Sequence, residues 1–161
     1  MKKTGVALLV ALLLVTSLVG CGKEVDTGVK CKEVLSKVLE QVDTKMDTTV
    51  VYGEDIYEKN FETLYNFPMK NVVDGGISYA ATGGLADEIS IVHVKSDKEM
   101  ADAKGYMQAR IQKRMKDFTG YKPDEVKKLE SGKVIVHKQY VALIINENVD
   151  AIEAAIRTAI S

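Results

Sequence analysis

Apolar residues recur along the chain in two rhythms. Over residues 29–43 they fall at helical spacing, with Cys31, Val34, Leu35, Val38 and Val42 on one side and Lys and Glu between them. That pattern predicts an amphipathic helix. Residues 44–53 lose the period and read as loop or a short extended piece. It returns over 54–65, where Tyr57, Phe61, Leu64 and Tyr65 share a side. Asn66-Phe67-Pro68 ends this second helix, because the residue before proline is pushed out of the α region. Residues 71–81 and 88–95 read as strands, the second rich in β-branched side chains. Gly75-Gly76 inside the first suggests a bulge, with a tight Asp-Gly turn as the alternative.

Ser96 with Glu99 has the spacing of a capping box. The long helix after it is predicted to run to about Thr119 and stop at Gly120. Its stripe is Met100, Ala103, Met107, Ile111, Met115 and Phe118. Pro123 with Asp124-Glu125 opens a short helix that Gly132 closes. Residues 133–138 and 140–145 are two more strands, joined by a tight reversal near Lys138-Gln139. Asp150 with Glu153 opens the last helix, whose apolar face is Val149, Ile152, Ile156 and Ile160.

The fold class expected is α+β. A four-stranded antiparallel sheet in β-β-α-β-β-α order carries helices on one face, preceded by the N-terminal amphipathic helix. That order is a circular permutation of the ferredoxin-like arrangement. The alternative is a more open meander with the N-terminal helix filling the second face.

The first 20 residues follow a different logic. Lys2 and Lys3 precede ten unbroken apolar residues, Val6 to Val15. Spanning a bilayer takes about 20, so this run fits the core of a signal peptide instead. Leu18-Val19-Gly20-Cys21 then has the order of a bacterial lipobox. The Cys21 thiol would take a diacylglyceryl group, and cleavage would fall between Gly20 and Cys21. Two acyl chains hold a protein stably where one does not. The organisation expected is a signal peptide over 1–20, a lipidated Cys21 with a tether to residue 28, and one domain over 29–161. Cys31 is then the remaining thiol, so no intramolecular disulfide forms. It reads as a small buried hydrophobe, with a reactive thiol as the alternative.

Charge excludes some partners. The 161 residues carry a formal charge of −1; without Lys2 and Lys3, 20 basic residues stand against 23 acidic ones, or −3. Such a chain lacks the basic footprint of a nucleic-acid binder. It also lacks a polybasic run for anionic lipid.

The lipobox at Leu18–Cys21, the Leu64-Tyr65 helix end, the Ala86-Asp87-Glu88-Ile89 strand start and the Tyr140-Val141-Ala142-Leu143 strand together resemble one family. It is a family of small bacterial lipoproteins, common in anaerobic Gram-positive bacteria and classed as a domain of unknown function. The resemblance implies an extracytoplasmic lipoprotein with one α+β domain, and implies no activity, cofactor or catalytic residue.

The sequence has no phosphate-binding loop, nucleophile elbow, zincin motif or Cys-x-x-Cys. His93 and His137 are the only histidines, each after Ile-Val in a strand. They are weak candidates for a metal site because no spacing marks a third ligand; the simpler reading is half-exposed imidazoles near strand ends. Asp87 and Glu88 are adjacent, so a strand sends them to opposite faces, and a solvated strand start is expected of them. The Met100, Met107 and Met115 stripe reads as core. Aromatics concentrate between residues 52 and 79. The simpler reading of them is ordinary packing of a short helix against a sheet; if a surface here binds a partner, Tyr57, Phe61, Tyr65 and Tyr79, with Gly83 and Gly84 of the following loop, are the candidates.

The expected function is that of a membrane-anchored, extracytoplasmic binding or adaptor domain without catalysis or cofactor. It would be held through diacylglyceryl on Cys21 and contact an envelope protein. The alternatives are a small-ligand-binding lipoprotein accessory to a transporter, or an enzyme with a His-ligated metal.

Overall fold

The computed structural model describes residues 28–46, 49–52, 57–68, 70 and 72–161. The expected signal peptide over 1–20, the expected lipidation site Cys21 and most of the expected tether lie outside the described residues, as does the side chain of Tyr57. The elements are α1 (Cys31–Gln41), β1 (Thr49–Tyr52), α2 (Tyr57–Tyr65), β2 (Val72–Ala80), β3 (Glu88–Val94), α3 (Asp97–Phe118), α4 (Pro123–Glu130), β4 (Lys133–His137), β5 (Tyr140–Ile145) and α5 (Val149–Ile160).

The fold is α+β, with an antiparallel sheet that contains the four expected strands. They stand in the order β2-β3-β5-β4, and β1, the short extended piece, adds a fifth along the outer edge of β2. The helices occupy both faces of this sheet, where one face was expected. The cause is visible in the central strands. Every residue of β3 and β5 is buried. Ile89 and Ile91 look one way and Val92 and Val94 the other. A strand that is apolar on both sides needs a cover on both. Helices α2, α3 and α4 cover one face through Phe61, Met107 and Leu129. Helices α1 and α5 cover the other through Leu35, Val38, Ile152 and Ile156. Fully burying one such side chain contributes about 1.5–3 kcal/mol.

Local signals fare unevenly. Helix α3 ends at Phe118, and Gly120 takes the left-handed conformation at φ +81°. The β4–β5 reversal falls at Lys138, whose φ of +51° a glycine would adopt more readily. Its ammonium reaches the carbonyls of Ile160 (2.9 Å) and Ser161 (3.3 Å), at the end of α5. The capping box is not made: Ser96 occupies the N-cap of α3 without a side-chain bond to the helix. The irregularity in β2 lies between Val72 and Asp74, ahead of the glycine pair.

Candidate binding site

Three buried polar clusters punctuate the core. The first is on the α2–α4 face. Glu88 opens β3 and is 2% exposed, not solvated as its position at a strand start suggested. Arg110 of α3 meets it from above, with Nη2 2.8 Å and Nε 3.2 Å from Oε2. Tyr65, the last residue of α2, donates its hydroxyl to Glu88 Oε1. The Ser90 hydroxyl lies 2.6 Å from the Tyr65 oxygen. Tyr65 has a single proton, so Ser90 is the donor there. Burial, reinforced by the charge of Glu88, pushes the Tyr65 phenol well above its ordinary pKa. Burial works against the Arg110 charge, yet the attraction of Glu88 more than offsets it and holds the guanidinium above its usual value.

Tyr65 and Arg110 of this cluster line a groove between α2 and α3 of about 370 Å³. Thr63, Leu64 and Asn66 line one side; Tyr106, Arg110 and Lys113 line the other. The last three recur at i, i+4 and i+7, which places them on one strip of α3. Arg110 Cζ lies 5.6 Å from the centre of the Tyr65 ring. Asn66 holds the left-handed conformation at φ +54°, which turns the chain out of α2 beside the groove.

The second cluster fixes the 81–87 loop. Lys122 Nζ donates to Gly84 O at 2.7 Å, and Arg114 Nη2 donates to Leu85 O at 2.8 Å. The Ala86 amide donates to Glu125 Oε2 at 2.7 Å. Asp87 accepts from Lys128 at 2.6 Å and from Asn146 at 2.9 Å. Asp87 and Glu88 enter two separate buried ionic networks and not water, but not through opposite faces of a strand: Asp87 precedes β3 and pairs with α4, which covers the same face as the α2 and α3 partners of Glu88.

The third cluster lies on the α1–α5 face, beside Gly28 and Val29. Asp74 and His93 are cross-strand partners on β2 and β3. Asp74 Oδ2 accepts from the Cys31 amide at 2.6 Å, at the first turn of α1. Burial, then the Asp74 charge, push the Cys31 thiol well above its ordinary pKa. That supports the reading of Cys31 as a buried hydrophobe, since the thiolate is the reactive form. His93 is buried and stacks on Tyr140, with ring centres 4.4 Å apart. Tyr140 Oη donates to Val29 O at 2.8 Å. A Cβ on Gly28 would collide with Tyr140 and His93.

The sequence-derived candidates scatter over these features. His93 and His137 face the same side, yet both pair in register with Tyr140, which stands on the strand between them. His137 Nδ1 lies 3.3 Å from Arg157. Among the described residues no group of three His, Cys, Asp or Glu is placed to hold a metal ion. Phe61 and Tyr65 are core residues, not surface, because α2 packs face-down on the sheet. Tyr79 is half-buried against the same core, and Gly83 is exposed. Met107 is fully buried, as expected of the stripe. Sequence reading missed Arg110, Tyr106 and Lys113. Their i, i+4, i+7 spacing was available, but without a known neighbour it reads as an ordinary solvated helix face.

Neither a curated protein nor a solved structure matches the chain. Residues 45–146, which hold all five strands and α2, α3 and α4, match a family, and the chain accordingly belongs to the one described as Domain of unknown function (DUF4358).

Proposed function

We propose that this protein is a lipid-anchored binding domain on the extracytoplasmic side of a bacterial membrane. The observation that carries the reading is the Leu18-Val19-Gly20-Cys21 lipobox, placed seven residues ahead of Gly28. Gly28 is where the chain seats against Tyr140 and His93. Seven residues reach at most about 25 Å. The end of the sheet with the β4–β5 reversal would then face the membrane, and the 81–87 loop would point away from it. Among the described residues no helix is long and apolar enough to cross a membrane. In this reading the acyl chains on Cys21 supply the attachment.

A second reading, a lipoprotein that binds a small ligand, draws support from the α2–α3 groove. Its volume lies within the range of small-molecule sites. The test of the anchor is growth of cells in radiolabelled palmitate, followed by fractionation. The wild-type protein should carry label and sediment with membranes, whereas Cys21→Ala should lose the label and keep its signal segment. Label that survives the substitution, or wild-type protein that never acquires it, would refute the anchor. In-cell crosslinking of the tagged protein then separates the two readings. A single reproducible protein partner supports an adaptor, and its absence favours a small ligand.

A further inference from the structure

We infer that the groove between α2 and α3 binds a small organic anion, a carboxylate or phosphate ester on a flat apolar body. The inference deepens the small-ligand reading above and rests on it for biological meaning, not for its chemistry. Three observations converge. The Arg110 side chain is 10% exposed, and its Nε and Nη2 are committed to Glu88. Its Nη1 has no hydrogen-bond partner among the described residues, and Arg110 lines the groove. Glu88 thus orients a planar cation and leaves donors on its outer edge, which is the geometry that suits carboxylate and phosphate.

The rest of the lining agrees. Lys113, one turn further along α3, is exposed and adds a second cation. Among the described residues no carboxylate lines the groove. Asp117 lies a further turn away and adds its field to that of Glu88 at Arg110. Tyr106 is half-buried against Phe67, with ring centres 5.1 Å apart, and offers a flat apolar wall. Leu64 and Ala109 extend that wall. Two cations set among apolar lining select an amphipathic anion over inorganic phosphate or a neutral sugar.

The test uses the full-length protein purified in detergent, so its result does not depend on whether the chain is anchored in cells. The probe is 4-methylumbelliferyl phosphate, read by fluorescence anisotropy, with the uncharged 4-methylumbelliferyl glucoside as its comparison. The phosphate ester should bind saturably and at least tenfold more tightly than the glucoside. Lys113→Glu should weaken it about tenfold or more. Ala109→Trp, on an exposed position of the helix, should fill the groove and abolish binding while leaving thermal unfolding near that of the wild type. Arg110 is left intact because its loss would disturb the core. Absence of saturable binding, equal binding of the glucoside, or unchanged binding by Ala109→Trp would each overturn the inference. The last outcome would assign the signal to the micelle. A failed palmitate test with intact probe binding would overturn the anchor alone.

Discussion

Asp74 and Glu88 are buried carboxylates on neighbouring strands, and they face opposite sides of one sheet. Asp74 is satisfied by the backbone amide that opens α1. Glu88 is satisfied by the tip of a long cation, with a phenol donating to its second oxygen. A backbone donor is used up in such a contact. A guanidinium has five N–H groups and keeps some for other work. So the Asp74 contact on the α1–α5 face is closed on itself, whereas beside the Glu88 contact on the α2–α4 face a groove opens, lined by Arg110. The family match covers the whole of the second face, and it leaves out both helices of the first. The groove therefore lies within the part of the chain that the family match covers.

The largest effect that would break this comparison is removal of the Glu88 carboxylate. Glu88→Ala should destabilise the protein by about 3–5 kcal/mol, because it leaves the Arg110 charge buried and uncompensated. Urea unfolding measures it. Replacing both partners with methionine should cost less than the sum of the single substitutions, by the coupling of a buried pair. If the two losses simply add, the cluster is not a unit and the contrast with Asp74 disappears.

Asp74→Ala comes next. It orphans one backbone donor and removes a negative charge from the start of α1, at a cost of about 1–3 kcal/mol. The loss should be local: hydrogen exchange should quicken at Cys31 and the first turn of α1 and leave α3 unchanged. Glu88→Ala should show the reverse pattern.

Alkali gives a third way to sharpen the contrast, because each face holds one acid whose proton is retained on folding. Burial raises both Cys31 and Tyr65, each with help from its own carboxylate. For an acid whose folded pKa is raised, the unfolded chain ionises first. Stability is thus fully present below the unfolded value and declines above it. The decline begins near pH 8.5 for the thiol and near pH 10 for the phenol. Cys31→Ala should remove the earlier phase and Tyr65→Phe the later one. In the folded protein Cys31 should resist maleimide at pH 7 and react only on unfolding.

Much of this was legible in the sequence, for reasons that can be named. The α1 and α5 stripes, the four strands, the Gly120 stop and the Lys138 reversal each announce themselves in local pattern. The placement of helices on both sides was also available, in the runs Ile89 to Val94 and Tyr140 to Ile145, which are apolar at both parities. An assumed one-face sandwich obscured it. The aromatic stripe stayed open between two readings for a related cause: Phe61 and Tyr65 look the same whether they face solvent or core, and the sheet beneath decides for the core. Long-range polar pairs left no local trace at all. Glu88 and Arg110 stand 22 positions apart on different elements. Nothing in their spacing links them, and each reads alone as a surface residue.

The smallest predicted effect belongs to the ion pairs of α5, which set the scale for the others. Glu153 accepts from Arg157 Nη2 at 2.9 Å, one turn along the helix, and from Lys133 at 3.1 Å. The hydrogen bonds from Arg157, then those from Lys133, hold its carboxyl below the ordinary glutamate range. A depressed acid stabilises the fold above its unfolded pKa, and this contribution is lost as pH falls from about 4.3 downward. Arg157 is 42% exposed, so water and salt screen the pair. Glu153→Gln should therefore cost about 0.5 kcal/mol or less. In 1 M salt that cost should vanish, whereas the cost of Glu88→Ala should stay nearly whole, since Glu88 lies beyond the reach of ions in solution. If salt removed both effects alike, the Glu88 cluster would be no more enclosed than the surface of α5, and the distinction between the two faces would fail with it.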